Sequence, residues 1–234
     1  MPNYLPLLLD GALLTVELTV CAAVLALVLA LLAGFGMLAE SAWLRTPSRI
    51  YTEVFRGAPT LVLLFWFVYS LPFLGIELSH FVAAVIALAL SIGAYEAEIV
   101  RGAVQAVPRG QVEAAIALNM SPWLRTRKII FPQAVVAMIP PYSGMTVQLL
   151  KSTALVSLVG LSDLTFAGDV VNNTRNEPLE IYTLILVGYF VVAVTITRAL
   201  RLAEYLASGW RREQTAIGPR RNKSLRHMRD SGHG

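Results

Sequence analysis

Long apolar segments alternate with polar stretches along the chain. Five of these segments are almost free of charged residues: 12–37, 58–76, 81–95, about 139–161 and 181–197. A helix rises about 1.5 Å per residue and needs about 20 apolar residues to cross the hydrocarbon core of a bilayer. The pattern therefore predicts an all-α membrane protein with about five transmembrane helices. Residues 129–138 are then expected at the membrane surface.

The composition supports the same class. Of the 234 residues, 56% are hydrophobic and 15% are charged, and the mean hydropathy is +0.63. Soluble domains carry about 25% charged residues, so an ordinary soluble enzyme is disfavoured. The single cysteine, Cys21, excludes an internal disulfide and a cluster of thiolate metal ligands. We therefore expect neither a secreted disulfide scaffold nor a metal site.

The positions of the basic residues predict the orientation. All but two of the 19 lysines and arginines follow the first, third or fifth span, and the exceptions are Lys151 and Arg175. Loops rich in Lys and Arg stay in the cytoplasm, so the N-terminus is expected outside and the C-terminus inside. The first basic residue, Arg45, lies beyond the first span, whereas a secretory signal has basic residues before its apolar stretch. We expect that span to be retained.

Two regions of different composition follow. Residues 1–210 are expected to form the transmembrane domain. Residues 211–234 are basic and are expected to form a disordered cytoplasmic tail near anionic lipid headgroups. Because no aromatic residue that stacks on bases follows Trp210, no nucleic-acid partner is expected.

The polar connection from about 101 to 132 has a pattern of its own. Residues 111–118 are rich in helix formers, and Asn119 follows them where a helix commonly ends in the left-handed conformation. Ser121 offers an N-cap oxygen and Pro122 suits the first helical position, so a second short helix is expected. From the residues alone, docking of a partner and packing against the protein's own spans both remain open for this helix-turn-helix.

The same loop resembles the EAA signature of the permease subunits of bacterial ABC importers. That signature has Glu-Ala-Ala, three residues, Gly, nine residues and Ile-x-Leu-Pro. The matching positions are Glu113, Ala114, Ala115, Asn119 and residues 129–132. The chain departs from the signature at Asn119, which tolerates the same turn, and at Phe131, which is also apolar.

Three further segments resemble the polar amino-acid uptake subfamily of these permeases. They are FRGAPTLVLLF from Phe55, AYEAEIVRGAVQAVPRGQVEAA from Ala94 and LLKSTALVSLVGLSDL from Leu149. The resemblance covers residues from about 8 to 210. It implies a multi-pass inner-membrane permease subunit of an ATP-driven importer for polar amino acids or related small zwitterions, including compatible solutes such as ectoine.

The resemblance also implies partners. Such importers combine two permease subunits, as identical or sister chains, with a cytoplasmic ABC ATPase dimer and an external solute-binding protein. Since the chain has no G-x-x-x-x-G-K-[ST] motif, ATP and Mg²⁺ are expected in the ATPase, and neither a cofactor nor catalysis is expected in this chain. The loop would form a coupling helix that docks into the ATPase, through Gly110, Glu113, Ala114, Ala115, Asn119 and Pro132. The alternative role for Glu113 is a solvated surface residue.

Charged residues within an apolar span cost about 2.5–3.5 kcal/mol at a helix centre and therefore mark candidate sites. Lys151 would lie about 18 Å into the fourth span if that span begins at Ile139. The candidate lining of a solute pathway comprises Glu96, Gln148, Lys151, Ser152 and Thr153. A structural ion pair of Lys151 with Glu17 or Glu98, or snorkelling toward water, is the alternative.

The segment 160–180 is the largest expected external region. It carries the candidate contacts with a binding protein, Asp163 and Asp169, and has the composition of a short surface helix. Covering the pore mouth is the alternative role for this segment.

Two other function classes were weighed. A stand-alone secondary transporter is disfavoured because the five spans show no internal inverted repeat and few buried charges. An intramembrane hydrolase is disfavoured further, because His80, His227 and His233 all lie outside the spans and no H-E-x-x-H motif is present.

Overall fold

The computed structural model describes residues 4–216, with side chains as far as Leu202. Every regular element in this part of the chain is helical. In chain order the α-helices are α1 (Leu5–Leu38), α2 (Ala42–Gly57), α3 (Thr60–Phe65), α4 (His80–Gln105), α5 (Arg109–Ala117), α6 (Pro122–Arg125), α7 (Phe131–Thr153), α8 (Leu164–Arg175) and α9 (Pro178–Ala216). A π-helical turn (Trp66–Ser70) and a 3₁₀ turn (Leu71–Leu74) extend α3, whereas a π turn (Thr126–Ile130) joins α6 to α7 and a 3₁₀ turn (Ala154–Val159) extends α7.

The prediction of about five membrane helices is confirmed, although two of them are broken. In the described residues α1, α4 and the 178–202 part of α9 are each long and apolar enough to cross a bilayer. Two bent pairs raise the number to as many as five: α2 with the run Thr60–Leu74, at 103°, and the run Pro122–Val159 with α8, at 52°. The helices extend beyond the apolar segments because hydropathy marks only the part of a helix that suits lipid.

Close packing of α1 against α4 forms the centre of the fold. Their interface is lined by alanines such as Ala26 and Ala87, both fully buried. Gly34 lies at the tightest point, where a β-carbon on it would stand 2.5 Å from Val100 Cβ and 2.9 Å from the Ala97 carbonyl oxygen. Small residues let membrane helices approach closely, so this pair is held by backbone proximity more than by large side chains.

The helix that contains the predicted fourth span begins earlier than that span. The expected second short helix, α6, continues through the π turn into α7, so residues 129–138 belong to the same helical run as residue 139 and beyond. Pro140 and Pro141 do not break α7. Pro132 removes the N–H that would bond to the Lys128 carbonyl, and π turns are a common way to accommodate such an interruption.

Two further features differ from the predictions: the presence of α2 and the end of α9. The helix α2 was not predicted at all, although three arginines were noted in its region. The helix α9 continues to Ala216, beyond the predicted end of the transmembrane domain at residue 210. The rest of the predicted basic tail, residues 217–234, lies outside the described residues.

Candidate functional site

The turn that ends α5 has the predicted left-handed residue. Asn119 has φ of 57°. Its N–H donates to the Ile116 carbonyl at 2.9 Å, and the Met120 N–H donates to the Ala115 carbonyl at 3.1 Å. These two bonds form a Schellman motif, which satisfies carbonyls that the helix end would otherwise leave unpaired. The predicted left-handed conformation of Asn119 is confirmed.

The next helix begins as predicted. The Ser121 hydroxyl accepts a hydrogen bond from the Leu124 N–H at 3.4 Å, and Pro122 lies in the first turn of α6. The helical run then continues through the π turn into α7.

One side of α5 is fixed to the start of α7. Ala115 is 1% exposed, and it lines a cavity of about 330 Å³ together with Leu118, Ile129 and Pro132. The Gln133 side-chain amide donates to the Gln111 side-chain oxygen across the same gap. The loop is thus held against its own chain through Ala115 and Gln111, while Pro132 is half-buried at the base of α7.

The opposite side of α5 faces outward. Glu113 and Gly110 are exposed on it, and Ala114 is exposed at the rim of the cavity. Ile116, one turn after Glu113, is 55% exposed, and Trp123 of α6 is 72% exposed. An exposed apolar patch beside a carboxylate is typical of a docking surface. Of the three EAA residues, Ala115 is buried against α7, whereas Glu113 and Ala114 are exposed.

The candidate pathway residues on α7 differ in their exposure. Gln148 and Lys151 are exposed on one face of α7, which Pro141 and Gly144 continue at helical spacing. Ser152 is half-buried and donates to the Gln148 carbonyl at 3.0 Å. Thr153 is fully buried and donates to the Leu150 carbonyl at 2.6 Å. Ser152 and Thr153 therefore bond to the backbone, and only Gln148 and Lys151 present polar groups on the open face.

The expected ion pairs of Lys151 are not formed. Glu98 instead lies 2.6 Å from a terminal nitrogen of Arg101 and 3.6 Å from one of Arg56. Lys151 has no ion pair with any side chain that the structure describes, and Glu17 is exposed on α1.

Lys151 borders a second cavity, of about 520 Å³, between α7 and α9. Its walls are mainly apolar and include Ile185 and Phe190, with the hydroxyls of Tyr182 and Tyr189 on the α9 side. A cation at the edge of an apolar recess is expected to attract an anionic group more strongly than it would in open water.

Glu96 lies apart from this face. Its side chain is 3% exposed, within the packing of α4, and interacts electrostatically with Tyr51 of α2 and Tyr142 of α7. One carboxylate oxygen of Glu96 and the Tyr142 hydroxyl have no hydrogen-bond partner among the described residues. The structure therefore does not bring Glu96 together with Gln148 and Lys151.

The two aspartates of the outer segment have different surroundings. The predicted surface helix is α8, and Asp163 caps its first turn by accepting from the Phe166 N–H at 3.0 Å. Asp163 is fully buried and also accepts from the Tyr189 hydroxyl at 2.9 Å. Burial raises the pKa of the Asp163 carboxyl, while these hydrogen bonds act in the opposite direction. A direct contact with a binding protein does not fit this burial, whereas Asp169 is half-buried and accepts only from the exposed Tyr182 among the bonds described.

The fold and the outward-facing loop define a class: a multi-pass helical membrane protein with a short exposed helix between two spans. The family of binding-protein-dependent transport system inner membrane components has a sequence model that matches residues 24–212. The chain belongs to this family, and it is a multi-pass protein of the inner membrane.

Individual relatives agree with the family. A probable amino-acid ABC transporter permease protein, y4tF, of Sinorhizobium fredii is 40% identical over 215 residues, which cover 89% of this chain and 90% of that protein. The glutamine transport system permease protein GlnP of Escherichia coli is 33% identical over 203 residues, which cover 86% and 92%. The crystal structure of an amino acid ABC transporter with histidines matches with a TM-score of 0.81 and 33% identity, over 87% of this chain and 95% of that one.

Proposed function

We propose that the chain is the permease subunit of an ATP-driven ABC importer for polar amino acids or related small zwitterions. The observation that carries the proposal is the outward face of α5, where Glu113 lies beside exposed apolar residues. Backbone hydrogen bonds stabilise both ends of this helix. The relatives named as amino-acid permeases support the solute class. Compatible solutes of the ectoine type share the same zwitterionic chemistry.

The coupling step follows from how α5 is held. Ala115 and Gln111 fix one side of the helix to α7, so a force applied to the outer side is passed to the span as a rigid-body movement. A cytoplasmic ATPase dimer would receive Glu113, Ile116 and Trp123 in a groove. ATP and Mg²⁺ would bind in that ATPase, with hydrolysis in a separate subunit.

The solute pathway would lie on the exposed face of α7. Gln148 and Lys151 are polar groups on a face that carries Gly144 and Pro141 and therefore has little side-chain bulk. A second permease subunit, either a copy or a sister chain, would close this face into a channel. The Lys151 ammonium would then attract the carboxylate that amino acids and related zwitterions share.

An external solute-binding protein would dock on the side where α8 lies. Asp169 is the aspartate of α8 with access to such a partner, and Asp163 would act indirectly by holding α8 against α9. The N-terminus would lie on this side and the C-terminus in the cytoplasm, because the basic residues follow the other ends of the spans.

The test is ATP hydrolysis by the complex purified from membranes, comparing the native chain with Glu113→Ala. Truncating one member of a charged pair buried at an interface costs about 2–5 kcal/mol, so we expect at least about tenfold weaker binding of the ATPase subunit. The matched control is Glu40→Ala, since Glu40 is also exposed but lies between α1 and α2. It should leave both binding and hydrolysis unchanged.

If no ATPase co-purifies with the native chain, the importer assignment is wrong and a stand-alone secondary transporter becomes the better explanation. If the ATPase binds but Glu113→Ala behaves like Glu40→Ala, Glu113 is a solvated residue and the docking surface must lie elsewhere.

A further inference from the structure

The helix α2 has three distinct faces. One face is packed against the protein: Thr52 is 1% exposed, and the Tyr51 hydroxyl donates to the Leu90 carbonyl of α4 at 3.1 Å. A second, exposed face is apolar and repeats at helical spacing through Trp43, Pro47, Ile50 and Val54. The third is charged, with Arg45, Arg49, Glu53 and Arg56 at the same spacing. Contacts within the described part of the chain explain the packed face and Arg56 of the charged face, but not the apolar face.

The exposure of the apolar face is large. Trp43 is 90% exposed, Ile50 is 57% exposed and Val54 is 56% exposed. A shallow concavity lined by Trp43, Thr46, Pro47 and Ile50 lies along it. An apolar stripe of this length on a helix of a membrane protein needs an apolar neighbour.

The direction of α2 places it close to the membrane plane. The axis of α2 makes an angle of 103° with the run Thr60–Leu74. That run packs as a hairpin against α4, and the hydroxyls of Thr60 and Ser91 lie 3.0 Å apart. If α4 crosses the bilayer, α2 lies nearly perpendicular to the crossing direction.

The depth of α2 follows from the length of the same run. Residues Thr60–Leu74 span about 22 Å at 1.5 Å per residue, whereas the hydrocarbon core is about 30 Å thick. If the far end of the run lies at the opposite interface, its start lies about 8 Å inside the near edge of the core. Amphipathic helices that lie in the interface bury their apolar face by about 5–10 Å, so α2 lies at the depth of an interfacial helix.

The charged face lies opposite the apolar face on α2, and part of it borders α4 in a polar cavity lined by Arg49, Glu53 and Glu98. Arg56 pairs with Glu98 and lies over the Tyr95 ring, with 5.5 Å from the guanidinium carbon to the ring centroid. Arg45 and Arg49 have no ion pair with any described side chain. Arginines on the polar face of an interfacial helix attract anionic headgroups, and tryptophan is enriched at this level of the bilayer.

We infer that α2 is an interfacial helix that binds anionic phospholipids, with its apolar face among the acyl chains and Arg45 and Arg49 on the headgroup phosphates. The occupant of the apolar stripe is thus the lipid surface and not a second protein. The inference requires that the chain spans a membrane and is independent of the solute and of ATPase docking.

The first experiment measures where the two exposed faces lie. The only cysteine is removed as Cys21→Ser, and a nitroxide label is placed at Ile50→Cys or, as the matched control, at Glu53→Cys in the full chain reconstituted in nanodiscs of phosphatidylcholine with phosphatidylglycerol. We expect the label at 50 to collide mainly with oxygen and the label at 53 mainly with a water-soluble nickel chelate. Equal access of nickel to both sites overturns the inference. A label at 50 shielded from both reagents also overturns it, because a protein would then cover the stripe.

The second experiment tests the headgroup charge. A fluorophore at Ile50→Cys is quenched by doxyl-labelled phosphatidylglycerol or phosphatidylcholine, and the native arginines are compared with Arg45→Gln and Arg49→Gln. We expect a preference for phosphatidylglycerol that falls by up to about fivefold for each arginine removed. The control Arg56→Gln, on the same face but paired with Glu98, should change it less than twofold. Equal quenching by both lipids, or an equal loss with Arg56→Gln, overturns the specific role of Arg45 and Arg49.

Discussion

The left-handed residue that ends α5 allows a sharp test of how this exposed helix is held. Asn119 has φ of 57°, a conformation that costs an ordinary L-residue about 1–2 kcal/mol and that Asn tolerates better. Valine is β-branched and is among the residues least suited to it. We therefore expect Asn119→Val to lower the free energy of opening the Schellman turn by about 1–2 kcal/mol.

The change in the free energy of opening determines how much faster the amide hydrogens of the turn exchange. A change of 1–2 kcal/mol raises the population of the open turn by about 5- to 30-fold. The amides that report it are those of Asn119 and Met120, which donate to the Ile116 and Ala115 carbonyls. Hydrogen exchange measured by mass spectrometry on peptides covering residues 109–120 should show this increase, and Asn119→Gly should show none, because glycine adopts positive φ without strain.

The chain provides a matched control at the other side of the molecule. Asn176 ends α8 with φ of 56°, and its N–H donates to the Asn172 carbonyl at 2.7 Å. Asn176→Val should increase exchange in α8 by a similar factor and leave α5 unchanged. Under the proposed function, Asn119→Val lowers ATP hydrolysis coupled to solute, and Asn176→Val does not affect the binding of the ATPase. Unchanged exchange at 109–120 in Asn119→Val would refute the assigned role of the turn.

Two further substitutions test the packing. Gly34→Leu should prevent the close approach of α1 and α4, because its β-carbon alone would stand 2.5 Å from Val100 Cβ; overpacking of this kind costs about 1–3 kcal/mol or more, and a lower thermal midpoint in detergent measures it. Asp163→Ala removes the α8 cap and leaves the Phe166 N–H and the Tyr189 hydroxyl without their acceptor, so we expect a loss of about 2–3 kcal/mol in the same assay. Asp163→Asn keeps an acceptor oxygen and should lose much less; an equally large loss would contradict the capping role.

Features carried by a few consecutive residues were predictable from the sequence. The turn at Asn119 and the cap at Ser121 depend on local backbone preferences, and both occur where they were expected. The helix α5 begins at Arg109, close to its predicted start at 111. Such features are read correctly because the interactions that stabilise them span fewer than six residues.

The helix α2 was missed although its signal is present. The apolar residues at 43, 47, 50 and 54 repeat with the helical period, but a search for uninterrupted apolar spans passes over a helix with arginines on another face. Pro140 and Pro141 lie inside α7 and do not break it. Membrane helices tolerate proline when neighbouring groups satisfy the freed carbonyls.

Asp163 shows which features of a site can be predicted from the sequence and which cannot. An aspartate before Leu164 is a recognisable helix N-cap, so its bond to the Phe166 N–H was within reach of the sequence. The burial of Asp163 could not be predicted, because it depends on residues of other helices. Tyr189 of α9 donates to Asp163, and the Thr15 hydroxyl of α1 accepts from the neighbouring Leu164 N–H at 3.1 Å. The start of α8 is therefore joined to α9 through Asp163 and to α1 through the Leu164 N–H, two contacts between helices that lie far apart in the sequence.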